Sequence, residues 1–250
     1  MTRTLAWDGC HNVRDLGGLA LGDGGETAYR VVVRSDSVRT LSDAGWEALA
    51  GYGVRRILDL RWPAELARDP ARELDVEVVH VSLFGADRDG PYADKYDAYL
   101  LASADPVDYY RWSYLEALDE FRPGFATALA ALADADGTAV VHCTGGKDRT
   151  GLVCALALRL AGVPAEEVVA DWALSEAVWV ERDAAWVAAA PDERERKRRR
   201  TFGLAPAQAM ADVLAELERR HGGARAYLEG AGVEPATLDR LAARLRGPAS

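Results

Sequence analysis

Cysteine is scarce in this chain: Cys10, Cys143 and Cys154 are the only three in 250 residues, too few and too scattered for a disulfide framework. Lysine is scarcer still against its background, since only Lys95, Lys147 and Lys197 stand among the 30 basic residues. No apolar run approaches the length of a membrane span, and Met1 to Asp15 is too polar for the apolar region of a secretory signal. Together with thiols free to react, this leads us to expect a cytoplasmic location and no stable membrane insertion. Positive charge is in deficit as well. A net charge of −10 repels a phosphate polymer outside local basic patches, which argues against nucleic acid as a partner. No linker rich in glycine, serine or proline and no internal repeat divides the chain, and 49% hydrophobic content suffices for one sizeable core. Residues 1–250 therefore read as a single domain.

What is present is concentrated in ten residues. From His142 to Gly151 the sequence is His-Cys-Thr-Gly-Gly-Lys-Asp-Arg-Thr-Gly. The β-branched run Thr138-Ala139-Val140-Val141 before it reads as a buried strand. Leu152, Val153, Leu156 and Leu160 after it carry helical spacing, which stops at Gly162 with Pro164 two residues beyond. The segment is thus strand, tight loop and helix. Backbone amides of Thr144, Gly145, Gly146, Lys147 and onward to Arg149 can form an anion nest, reinforced by the positive end of the helix. A thiol at the centre of such a ring is expected to ionise far below the free value of about 8.5, at roughly 3.5–7.5. Thr150 is placed to donate to the same sulfur, His142 to brace the loop, and Arg149 to grip phosphate oxygens in a planar, two-pronged way. The implied chemistry is attack of the Cys143 thiolate on phosphorus, a phosphocysteine intermediate and hydrolysis by water, with no metal and no cofactor. A nucleotide-binding loop is excluded because Lys147 is followed by Asp148 instead of Ser or Thr. Cys10 and Cys154 read as small apolar side chains.

The pattern His-Cys-x-x-Gly-x-x-Arg-Thr-Gly resembles the signature of cysteine-dependent phosphatases. With Lys147 and Asp148 included, it is similar to the bacterial atypical tyrosine phosphatases of the PtpB type. Asn12 to Gly18, Arg34-Ser35-Asp36, Asp59-Leu60-Arg61-x-x-x-Glu65, and Tyr227-Leu228 with Gly232-Val233 extend the resemblance over nearly the whole chain. It implies Cys143 as nucleophile, Arg149 as phosphate ligand and the phosphatase fold.

Two positions bear on specificity. Lys147 is expected to act as a second cation at the loop, favouring phosphoinositides as well as phosphotyrosine. The general acid has two candidates, Asp148 in the loop and Asp87 in Phe84-Gly85-Ala86-Asp87-Arg88-Asp89 after a strand. The Trp-Pro-Asp acid loop of conventional tyrosine phosphatases is absent, since Trp62-Pro63 is followed by Ala64; this pair instead begins a helix.

Periodicity predicts an α/β fold, a central sheet flanked by helices with a helix-rich C-terminal half. Strands are expected at Tyr29–Val33, Val54–Leu60, Val76–Val81 and Thr138–His142. Helices are expected from Ser42 to about Gly51, through Tyr99, Tyr110–Leu118 and Pro123–Ala133, and near 165–173, 175–188, 206–221 and 235–246. Pro191 to Arg200 runs from acids to bases and reads as a solvated helix, with a basic surface for an anionic membrane or an acidic substrate as the alternative. The aromatics Tyr92, Tyr96, Tyr99, Tyr109, Tyr110 and Trp112 divide between core packing and the wall of a pocket. The expected partners are a phosphorylated protein or a phosphoinositide, with inorganic phosphate able to occupy the loop. A phosphoinositide phosphatase and a non-catalytic phospho-ligand module are the alternatives.

Overall fold

The computed structural model describes residues 2–69, 75–85 and 91–247. Its first half runs β1 (Arg14–Asp15), β2 (Val32–Ser35), α1 (Asp43–Gly51), β3 (Val54–Asp59), α2 (Pro63–Leu66), β4 (Glu77–His80), α3 (Pro91–Ala102), α4 (Pro106–Glu120) and α5 (Arg122–Ala133). The second half runs β5 (Thr138–His142), α6 (Asp148–Ala161), α7 (Ala165–Arg182), α8 (Ala184–Ala188), α9 (Glu193–Gly203), α10 (Ala207–His221), α11 (Ala224–Gly230) and α12 (Pro235–Arg246). The expected class, α/β with a helix-rich C-terminal half, is what the structure has.

The sheet order is β1-β2-β5-β3-β4, with β5 central and parallel to both neighbours. Side-chain alternation along these strands feeds two cores. Val32, Leu58, Ala139 and Val141 enter the larger one with Phe125 and Leu129 of α5, Leu152 and Leu156 of α6, and Leu241 of α12. Val33, Ile57 and Val140 point to the other face, against Trp7 and the α1 residues Trp46 and Leu49. Register does the positioning. Ser35 and Asp59 both pair with His142, so β2 and β3 end level with β5 and three loops leave one edge together. That edge is where parallel sheets place ligands.

Differences from the periodicity are local. The first long strand begins at Val32, because Arg30 takes a left-handed backbone (φ 63°) and its carbonyl receives the Thr138 hydroxyl at 2.6 Å. It continues to Ser35 because β5 offers a partner that far. The two helices expected near 165–173 and 175–188 are one helix to Arg182, since no breaker lies between them; the break falls at Asp183, before the short α8. α11 has only seven residues and no long amphipathic signal; Tyr227 within it donates to the Leu118 carbonyl at 2.6 Å from a fully buried position.

Gly151 explains how α7 reaches the sheet edge. A Cβ there would lie 2.6 Å from Trp172 Cδ1 and 2.9 Å from its Nε1, so the helix crossing depends on the missing side chain. Gly151→Ala gains about 1 kcal/mol of helix propensity, but overpacking against a rigid, buried indole costs about 1–3 kcal/mol or more. The variant is expected to be net destabilised, read as a lower urea midpoint with an unchanged slope.

Candidate active site

The loop between β5 and α6 is shaped from outside. The Ser37 amide donates to the Thr144 carbonyl at 3.1 Å. The Gly145 carbonyl accepts from Asn12 Nδ2 at 2.9 Å and Trp179 Nε1 at 3.0 Å, and the Gly146 carbonyl from Arg34 at 2.7 Å. In a trans peptide C=O and N–H point opposite ways, so the amides of Gly145, Gly146 and Lys147 turn away from these partners, into the loop. Gly146 must be glycine: its φ is 63°, and a Cβ would lie 2.5 Å from the Ser35 carbonyl group. Cys143 follows the last residue of β5, is buried, and lies within electrostatic reach of Arg149, Arg34 and Lys147.

Beneath the loop, Arg34 and Arg14 are buried and share Asp171 of α7, at 2.7 and 3.2 Å, with Arg3 as a third partner. Burial resists ionising Asp171, but the three guanidinium groups hold its carboxyl well below the usual range. Arg14 pays the complementary penalty: burial, with Arg34 beside it, lowers its pKa to about 10.

Arg149 is clamped. Its Nη1 and Nη2 meet the two oxygens of Glu65 at 2.7 and 3.1 Å, and Nη2 reaches Thr144 Oγ1 at 3.2 Å. Its guanidinium carbon lies 4.2 Å from the centre of the Trp62 ring. The two-pronged grip expected for phosphate is thus made to Glu65. Glu65 also caps its own helix by accepting the Trp62 amide at 2.8 Å, and it takes the Thr144 hydroxyl. Burial opposes its charge, yet Arg149, Thr144 and the Trp62 amide hold its pKa at about 2. As the sequence suggests, Trp62-Pro63 starts a helix, and that helix delivers Glu65.

His142 is fully buried; its Nδ1 lies 3.3 Å from the Cys143 carbonyl and its Nε2 3.4 Å from Asp59. Burial lowers the imidazole to about 4 despite Asp59, while Asp59, buried but facing His142 and Arg61, sits at about 2. Thr150 does not make the expected bond to sulfur: its buried hydroxyl has no hydrogen-bond partner among the described residues. Cys154 and Cys10 are pushed up to about 12, chiefly by burial, in keeping with inert thiols; Cys10 is only half-buried and donates to the Ser37 carbonyl at 3.4 Å.

Lys147 departs from expectation. Its ammonium points inward, 2% exposed, to Tyr110 Oη (2.6 Å), the Phe202 carbonyl (2.5 Å) and the Leu204 carbonyl (2.7 Å), with Asp148 at 3.6 Å. Three acceptors compensate an ammonium that burial disfavours, and the result is a brace from the loop to the end of α9 in place of a cation aimed at substrate. Asp148 opens α6, stays partly exposed and accepts the Tyr114 hydroxyl at 2.6 Å. Asp87 lies outside the described residues. Part of the basic run is spent internally: Arg198 on Asp97 (2.9 Å), Arg199 on Glu195 (2.8 Å), and Lys197 on the Leu101 and Ser103 carbonyls, while Arg194 and Arg200 are exposed.

A cavity of about 410 Å³ opens over residues 144–149. Trp62, Phe84, Tyr109, Tyr114, Trp179 and Phe202 wall it, with Arg149, Lys147, Asp148 and Glu65 at its floor and sides. Asn12, Arg34 and Glu65 were visible in the sequence only as parts of motifs without a role. Trp179 carried no signal beyond helical spacing.

Two outcomes follow. The unfolded chain protonates His142 near 6.5 and the folded one only near 4, so stability falls as pH drops through that window, by about 3 kcal/mol. Thermal melts from pH 7 to 4 should show the decline, and His142→Asn should flatten it. Lys147→Met strands two carbonyls and should cost about 1–3 kcal/mol by urea denaturation, with activity lost by the same factor on phosphotyrosyl and inositol-lipid substrates; a lipid-selective loss would restore a substrate-binding lysine.

Residues 5–247 match the model of the tyrosine phosphatase family. The chain is 33% identical over 224 residues to a tyrosine-protein phosphatase of Nostoc commune, covering 85% of this chain and 73% of that one. It is 28% identical to the triple specificity protein phosphatase PtpB of Mycobacterium tuberculosis, over 96% of this chain and 98% of that one. With a match spanning nearly its whole length, this chain belongs to the tyrosine phosphatase family.

Proposed function

We propose that this phosphatase hydrolyses phosphotyrosine in proteins through a phosphocysteine intermediate, with Cys143 as nucleophile and neither metal nor cofactor in the chemistry. The observation that carries the substrate class is the aromatic-walled cavity standing over a loop whose amides turn inward. The phosphate sits among the amides of Gly145, Gly146 and Lys147 at the start of α6, where aligned N–H groups favour an anion. Arg149, held in plane by Glu65 and Trp62, supplies the facing positive charge.

In the first step an Sγ–P bond forms as the P–O bond to the phenol breaks, and Asp148 gives its proton to the departing oxygen. In the second, water attacks phosphorus, the S–P bond breaks, and the Asp148 carboxylate takes the water proton. Asp148 is preferred because it lines the cavity at the loop itself. A polyphosphorylated inositol headgroup is the weaker reading, since extra phosphates need free cations; the Lys147 ammonium is engaged and Arg198 is paired with Asp97.

The test is turnover of a phosphotyrosyl peptide and para-nitrophenyl phosphate by purified protein under reducing conditions. Cys143→Ser is expected to lose roughly 10³-fold or more in kcat; retained activity would overturn the mechanism. Asp148→Asn should lose about 10²–10³-fold on the peptide and much less on para-nitrophenyl phosphate, whose leaving group needs no proton. Equal, small losses on both would remove Asp148 from the acid role.

A further inference from the structure

Trp179 sits in the last full turn of α7, far in sequence from the loop, yet its indole packs on Gly145. The place a Gly145 Cβ would take is met by Trp179 Cε2 and Cζ2 at 3.6 Å and Nε1 at 3.7 Å. Its N–H donates to the Gly145 carbonyl at 3.0 Å, and a Cβ placed on Gly203 of α9 would lie 3.9 Å from its own main chain. The ring is therefore held at one edge by a hydrogen bond while another part of it faces the cavity. Trp62 stands at the opposite end of the same short loop, over Arg149, with its N–H on the Phe84 carbonyl at 3.3 Å. Two oriented indoles thus flank residues 144–149, one anchored to the first glycine and one to the arginine.

From this we infer that Trp179 is a specificity-determining residue: it receives the aromatic ring of an aryl phosphate monoester and, by the same hydrogen bond, fixes the Gly145 peptide that binds the phosphate. This rests on the phosphatase reading above and adds the residue that selects the ester group. The physical reason is reach and rigidity. An ester substituent leaves the phosphate toward the cavity, and a planar ring there stacks on or meets the edge of a fixed indole, an arrangement favourable beyond the area it buries. A ring already held in place loses no rotamer freedom on binding. A bare phosphate makes no contact with the indole face and depends on Trp179 only through the Gly145 peptide. One side chain therefore performs two separable tasks.

Two substitutions separate them. Trp179→Phe keeps a ring and removes the N–H, while Trp179→Leu removes both. The readouts are kcat and KM for a phosphotyrosyl peptide, and Ki for inorganic phosphate as a competitive, ring-free ligand. Trp179→Leu is expected to raise the peptide KM about tenfold while phosphate Ki shifts less than about threefold, because Asn12 still holds the Gly145 carbonyl. Trp179→Phe should keep the peptide KM within about threefold and lower kcat by about two- to threefold, as Trp179→Leu also does, because one of the two donors to the Gly145 carbonyl is gone while Asn12 remains. Equal shifts in KM and Ki for Trp179→Leu, or none, would overturn the assignment and reduce Trp179 to a packing residue, with the phosphatase reading intact. A wild-type protein that releases no phosphate from the peptide would overturn both together.

Discussion

Asp171 receives the Arg34 guanidinium at 2.7 Å, and through Arg34 it governs the Gly146 carbonyl at the far side of the loop. Arginines buried without a counter-charge would cost several kcal/mol each, and α7 brings the only carboxylate that Arg3, Arg14 and Arg34 share among the described residues. The packing of α7 on α6, through Trp172 over Gly151, is thus also the electrostatic condition for the loop. With carbonyls tied outward, the amides have one direction left. The inward direction of the amides is a consequence of what is bonded behind them.

A second layer of the same logic surrounds the charged side chains. Glu65 fixes Arg149, Asp59 and Arg61 flank His142, and Lys147 is consumed by Tyr110 and by two carbonyls at the end of α9. Each charge near Cys143 has a partner that determines where it points. These side chains are held in place before any ligand arrives, and a preset electrostatic environment of this kind favours charge that develops in a reaction. The same bonds connect the loop to α2, α7 and α9, three of the elements that wall the cavity.

Much of this was legible in the residues. The strand, loop and helix around Cys143 follow from β-branched spacing, glycines and the Gly162 stop, and the structure has them where expected. Arg34-Ser35-Asp36 and Asp59-Leu60-Arg61 were recognisable as motifs, but their place beside Cys143 depends on the register that sets Ser35 and Asp59 against His142. Lys147 shows where local inference ends. A lysine in a phosphate loop suggests a substrate cation, and nothing nearby in sequence announces that carbonyls of residues 202 and 204 will claim it.

The sequence by itself determined the family signature, the fold class and the loop, because these rest on contiguous residues and on short periodicities that the backbone enforces locally. Tertiary structure decided the partners: Glu65 for Arg149, Asp171 for Arg34, Trp179 for Gly145, and α9 for Lys147. These pairs are separated by between 34 and 137 positions. Charge compensation and hydrogen-bond direction depend on distance in space, and no local spacing encodes a distance that only the packed sheet and helices create.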